Sequence, residues 1–181
     1  MQLLHRVLTW IRLRLKVGLY HVFEFSLLDT SGKAIWSETL VNRFSNQGEI
    51  DALSVLYQAQ NPWGAKLYGR LYNTTPVDAS VLPISNEMSG NGYVPVSWDR
   101  NTTDWGNPAT IASGEGETVG IVKTFTATGG DIGPFTYFGL TSSSDNSGRF
   151  IAYAPFSAPM TILVGASLQI RPRGRLRGVS Q

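Results

Sequence analysis

The sequence predicts a mainly β fold: an antiparallel β-sandwich or jelly-roll-like body with one interior helix and an N-terminal arm. Three observations predict it. Val, Thr, Ser, Asn and aromatic residues recur in short alternating runs, the period of half-buried strands. Glycine is abundant, at 19 residues, and separates those runs at turn positions. One interior stretch, residues 46–59, instead carries apolar residues at helical spacing. With 181 residues, 42% hydrophobic and 15% charged, the chain suits a single domain with a sizeable core. There is no cysteine, which excludes disulfides and thiolate chemistry.

The elements follow in order. Leu3, Leu4, Val7, Leu8, Ile11 and Leu15 share one face at helical spacing, while Ile11, Leu13, Leu15, Val17 and Leu19 alternate with Arg12, Arg14 and Lys16 as a strand would. The pattern predicts a short helix through about Trp10, then a strand. Basic residues interrupt this stretch too often for a membrane span, which needs roughly 20 mostly apolar residues, so no membrane partner is expected. The arm is expected to dock its apolar face on its own domain or on a sister subunit. Residues 19–28 read as a strand, Asp29–Lys33 as a turn built on Gly32, and Ala34–Val41 as the returning strand, anchored by Trp36. The helix over 46–59 is expected to be capped by Asn46, with Glu49 and Asp51 at its positive end. Ile50, Leu53, Leu56 and Tyr57 form its apolar stripe.

Further strands are predicted over Ala65–Asn73, Tyr93–Trp98, Thr118–Ala127, Pro134–Thr141, Phe150–Ala154 and Met160–Ile170. Long loops separate them at residues 74–92 and Asn101–Gly116, with a polar hairpin turn at Ser142–Gly148. Pro95 places the strand Tyr93–Trp98 at an edge or bulge. Ser89-Gly90-Asn91-Gly92 supplies permissive geometry for a tight turn into it.

Charge is segregated along the chain. Arg6, Arg12, Arg14 and Lys16 at one end and Arg171, Arg173, Arg175 and Arg177 at the other have no acid among them; the remaining 7 basic residues face all 13 acids. The expected picture is a mildly acidic body with two basic ends able to meet acidic surfaces. The C-terminal arginines alternate on one strand face, which suits bidentate contact with an acidic protein surface. Nucleic-acid binding through the basic ends is possible but not favoured.

The stretch Leu82-Pro-Ile-Ser-Asn86-Glu87-Met-Ser89-Gly90-Asn-Gly92-Tyr93-Val-Pro-Val resembles a motif of the form NE-S-G-GYAR in a family of small tailed-phage virion proteins. Phe23–Trp36, then Asn42 and Gly48, resemble that family's N-terminal part, and Gly139-Leu140 with Gly148–Tyr153 its late hairpin. Val94-Pro95 replaces the usual Ala-Arg, and the first 18 residues have no counterpart. The resemblance covers roughly residues 19–170. It implies a β-sandwich virion structural protein that works as an oligomer, in a family that includes tail-fibre, minor tail and capsid accessory proteins. With the two basic ends as anchors, the expected role is a non-enzymatic capsid decoration (cement) protein. Such a protein would sit on the capsid surface of a phage particle, as a homo-oligomer (a trimer) bound to the major capsid protein or another virion protein. A tail or neck component, or a fibre-like adhesin binding host glycan, is the alternative. The expected organisation is a basic amphipathic arm over 1–18, a β-sandwich virion domain over 19–170 and a basic tail over 171–181. Deleting 1–16 or 171–181 is expected to leave the body folded and abolish particle binding.

Catalytic and cofactor readings find little support. His5 and His21 are too few for a zinc site, and His21 has no nucleophile motif beside it. Asp99 with Asp104, and Glu115 with Glu117, read as solvated loop acids rather than a glycosidase pair. Asn86 and Glu87 read as hydrogen-bonding their own loop. The Gly-rich stretches Gly114–Gly120 and Thr128–Gly133 lack a following Lys-Ser/Thr and helix, and Asp145–Gly148 is too short for an EF-hand. No metal and no cofactor is expected. Trp63, Tyr72, Tyr93, Trp98 and Trp105 lie in or beside the long loops. Tyr93, Trp98 and Trp105 are therefore candidate glycan or interface aromatics, against the simpler reading that such rings fill the core.

Overall fold

A computed structural model describes residues 18–74, 86–145 and 147–177. The helix expected through Trp10, the strand expected from Ile11, and Arg6, Arg12, Arg14 and Lys16 lie outside the described residues. So do Pro76, Pro83 and residues 178–181.

Two antiparallel sheets pack face to face. The first holds β1 (Gly18–Leu28), β2 (Ala34–Val41), β6 (Ala109–Thr110), β7 (Gly116–Val119), β8 (Lys123–Thr126) and β11 (Ser167–Arg177), in the order β2-β1-β11-β7-β6, with β8 also on β11. The second has the order β3-β10-β9-β4-β5, from β3 (Arg43–Phe44), β4 (Lys66–Tyr72), β5 (Val96–Asp99), β9 (Ile132–Thr141) and β10 (Phe150–Ile162). One helix, α1 (Asn46–Gln58), connects β3 to β4. The fold is thus a mainly β sandwich with a single helix among the described residues, as the alternation predicts.

Alternation sets the core. Phe23 and Phe25 of β1 point inward, as do Leu168 and Ile170 of β11, against Phe135, Phe138 and Leu140 of β9 and Phe156 of β10, all buried. The rings meet edge to face, Phe23 on Phe138 at 4.7 Å and Phe25 on Phe156 at 4.9 Å between centroids, the arrangement their quadrupoles prefer. Trp98 is fully buried, and its indole N–H donates to the Ile121 carbonyl at 2.8 Å.

Helix α1 departs from expectation in two ways. Ser45, not Asn46, is the N-cap: its hydroxyl accepts the Gly48 N–H at 2.9 Å. The expected apolar stripe also faces away from the sandwich. Ile50, Leu53, Leu56 and Tyr57 are 58%, 57%, 58% and 81% exposed, while Gly48, Asp51 and Ala52 are buried. The inward face is small and close-fitting: a Cβ on Gly48 would stand 2.0 Å from the Ile151 carbonyl oxygen. Asp51 is held there by the Trp63 indole N–H at 3.2 Å, the Gln47 amide at 2.8 Å and Arg149 at 3.4 Å.

Several strand limits shift. The expected strand Thr118–Ala127 is two strands, because the chain changes partner along β11. β7 pairs with Arg173–Leu176 and β8 with Ser167–Ile170. The crossing falls at Pro172, which has no N–H for a neighbour to accept; Gly120 N–H donates to its carbonyl at 2.8 Å as the chain steps across. The expected strand Met160–Ile170 is broken by the turn Leu163–Ala166, where Gly165 takes φ +81 and Ala166 N–H returns to the Leu163 carbonyl. The expected loop Asn101–Gly116 contains β6. Tyr93 precedes β5, which begins after Pro95 at the edge of its sheet.

Candidate interaction surfaces

The expected boundary at 170/171 falls inside β11. Residues 171–177 are not a free tail but one half of a strand flanked on both sides, with Arg171 opposite Glu24, Arg173 opposite Val22 and Arg177 opposite Gly18 on β1. Their alternation puts all of these arginines on the outer face of the first sheet. There they meet the sheet's own acids. Arg173 donates to Glu24 at 2.8 Å and to Glu117 at 3.0 Å, Arg175 to Glu117 at 2.6 Å, and Arg177 lies 3.2 Å from Glu115. Arg171 reaches Glu24 only at 4.0 Å. Tyr20 donates its hydroxyl to Glu115 at 2.7 Å. Burial pushes the Glu117 carboxyl up, but the hydrogen bond from Arg175 and the charges of both arginines outweigh it and hold the group below its ordinary range. Glu115 and Glu117 are therefore not solvated loop acids; both are buried in this ladder. Asp104 is likewise buried, accepting the Asp99 N–H at 2.8 Å beside Lys123 at 3.4 Å. Asp99 is exposed and pairs with Lys66 at 3.1 Å.

The segment around Glu87 is structural in its geometry. Gly90, Asn91 and Gly92 all take positive φ, forming the expected tight turn, and a Cβ on Gly92 would strike the Thr128 hydroxyl at 2.2 Å. The turn returns Tyr93 over Phe125, the rings stacked at 5.7 Å, with the tyrosine hydroxyl donating to Glu87 at 2.8 Å and accepting the Leu71 N–H at 3.0 Å. Glu87 also receives a two-pronged contact from Arg70, whose Nε is 2.8 Å away and whose side chain is 3% exposed. Burial opposes the charge on Arg70, and its hydrogen bond to Glu87 more than restores it. Burial, reinforced by Glu87, pushes the Tyr93 phenol well up. This network fastens the loop to β4, as expected of Glu87; no sequence signal pointed to Arg70 as its partner, because the two lie 17 positions apart in different elements.

Of the candidate aromatics, Trp98 is core and cannot form a surface platform, and Trp63 and Tyr72 are also buried. Trp105 is half-buried and lines an open groove of about 390 Å³ with His21, Leu67, Arg100, Asn101, Thr102 and Pro108. Its indole N–H has no partner among the described residues. His21 sits beneath, stacked on Phe23 and hydrogen-bonded to the Asn42 amide at 3.2 Å; burial lowers its pKa to about 4, so it is neutral near pH 7. Among the described residues no group of three His, Cys, Asp or Glu side chains could hold a metal, and no helix is long and apolar enough to cross a membrane.

Fold and surfaces together define a two-sheet β-sandwich with a charge ladder on one sheet face and, on its helix, an apolar stripe that the described residues leave exposed. No family model and no curated protein matches the chain.

Proposed function

We propose that this chain is a bacteriophage virion structural protein, a capsid decoration protein that stabilises the head. The observation that carries the reading is where unbalanced charge remains once the arginine ladder is accounted for. Residues 18–181 hold 11 basic and 13 acidic residues, 11 − 13 = −2, whereas residues 1–17 hold 4 basic residues and no acid. A near-neutral, tightly packed sandwich thus bears one cationic anchor, the N-terminal segment with Arg6, Arg12, Arg14 and Lys16, suited to an acidic shell surface. Arg171, Arg173, Arg175 and Arg177 contribute through the sandwich face instead of a second arm. The resemblance of residues 82–96 to phage virion proteins supports the same reading. Assembly as a trimer would add avidity, since each further anchor binds at high effective concentration.

The test is particle imaging. With the tagged chain produced during infection by the phage that encodes it, density is expected over capsomer junctions and lost when residues 1–16 are deleted. Absence of the chain from particles would end the proposal.

One observation favours a second reading, a tail or neck adhesin: the groove beside Trp105 joins an aromatic face to polar side chains, as sugar sites do. Density along the tail, with glycan binding lost in Trp105→Ala, would select it over the first.

A further inference from the structure

We infer that the chain's own N-terminal segment, through Leu3, Leu4, Val7, Leu8 and Ile11, covers the exposed apolar face of α1. Ile50, Leu53, Leu56 and Tyr57 present large side chains on one side of a 13-residue helix whose other side is fixed to β10. A contiguous apolar face on a surface helix marks an interaction site. Its occupant is indicated by where the described chain begins. The His21 ring meets Phe44 at 5.2 Å, Asn42 N–H donates to the His21 carbonyl at 3.1 Å, and Ser45 caps α1 immediately after Phe44. Gly18, three residues upstream of His21, therefore lies on the order of 10 Å from the corner where α1 starts. The six residues 12–17 can span roughly 20 Å when extended, enough to return residues 3–11 to the helix.

The two partners also match in pattern and charge. Leu3, Leu4, Val7, Leu8 and Ile11 recur at the same helical period as the α1 stripe, so two such helices can interdigitate along their apolar sides. Helix α1 carries Glu49 exposed beside the stripe and no basic residue, while residues 1–17 carry no acid. A short tether holds the segment at an effective concentration that a separate copy would not reach at ordinary dilution, which selects the chain's own arm.

The full-length protein with Leu53→Glu and Leu56→Glu tests this, because both side chains are exposed and the sandwich does not need them. Tryptic cleavage after Arg6, Arg12, Arg14 and Lys16, followed by mass spectrometry, is expected to be about tenfold faster or more in the double variant, with the thermal transition of the body unchanged. A second measurement uses the absence of native cysteine. Val7→Cys with Leu53→Cys should oxidise to an intramolecular disulfide, whereas Val7→Cys with Ile35→Cys on β2 should not. Equal cleavage rates in the two proteins, no V7C/L53C bond, or bonds formed only between chains would each overturn the assignment. Both readouts use the isolated chain, so they stand or fall separately from the virion reading.

Discussion

Strand β11 and helix α1 are mirror cases. β11 carries Arg171, Arg173, Arg175 and Arg177 and looks like a solvated tail, yet it lies between β1 and β7 and joins the sheet. α1 carries Ile50, Leu53, Leu56 and Tyr57 and looks like a core helix, yet that face is exposed. In both the period holds, and what it leaves open differs: for β11 whether the strand pairs within the sheet, for α1 which face turns inward. Alternation or a helical stripe states which side chains share a face; what the neighbouring element can receive decides which face turns inward. β11 has a second face, Leu168 and Ile170, that fills the core, and its charged face meets Glu24 on β1, Glu117 on β7 and Glu115 in the turn just before β7. α1 lies so close to the Ile151 carbonyl that only Gly48 and its small neighbours fit beneath it.

The largest expected effect breaks β11. Truncation after Ile170 removes its pairing with Gly18–Glu24 and all of its pairing with β7. The loss is expected to exceed the stability of a typical domain, about 5–15 kcal/mol, so thermal melting followed by circular dichroism should show no cooperative transition. A melt close to that of the intact chain would restore the picture of a detachable tail.

Next comes Arg70→Ala, which strands the Glu87 carboxylate beneath the loop. Breaking a buried pair in this way costs about 3–5 kcal/mol, readable in the urea midpoint, whereas the exposed Arg177→Ala should cost well under about 1 kcal/mol. That contrast separates arginines that hold the fold from those that only line its surface.

The third effect is pH-dependent. His21 is held near pKa 4 by burial, against 6.5 when unfolded. Below 6.5 the unfolded state takes up a proton that the folded state refuses, so this contribution to stability is intact above about 6.5 and declines as pH falls toward 4. The decline amounts to roughly 3 kcal/mol at pH 4 and below. Urea unfolding of the wild type and His21→Leu at pH 7 and pH 4 should show the excess loss only in the wild type.

The smallest pair of effects concerns α1. Gly48→Ala should cost about 1–3 kcal/mol through overpacking against β10. Leu53→Ala should leave the urea midpoint of the sandwich within about 0.5 kcal/mol. Equal effects would mean that the helix faces had been assigned the wrong way round.

Much of the fold was legible because strands and turns are local. The hairpin β1–β2 around Gly32, strand β4 with Leu67 and Leu71 inward, and the Gly90–Gly92 turn all follow from alternation and glycine. What escaped detection depends on partners distant in sequence. Gly120-Ile121-Val122 is strand-like in composition, and only its meeting with Pro172 explains why the chain breaks there. Leu163 and Val164 are apolar yet form a turn, because Gly165 takes a left-handed conformation and Asp131 accepts the Val164 N–H at 2.7 Å. At the surface, Glu87 was legible as a loop-holding residue but Arg70 was not, and Trp98 could be separated from Trp105 only by the sheet that buries the first.

Amide hydrogen exchange across β11 tests the central claim most directly. If the arginine strand belongs to the sandwich, the ladder-bonded amides within residues 171–177 exchange about as slowly as those of β1, over hours. Exchange within seconds throughout 171–177, with β1 still protected, would return those residues to a free cationic tail and contradict the account.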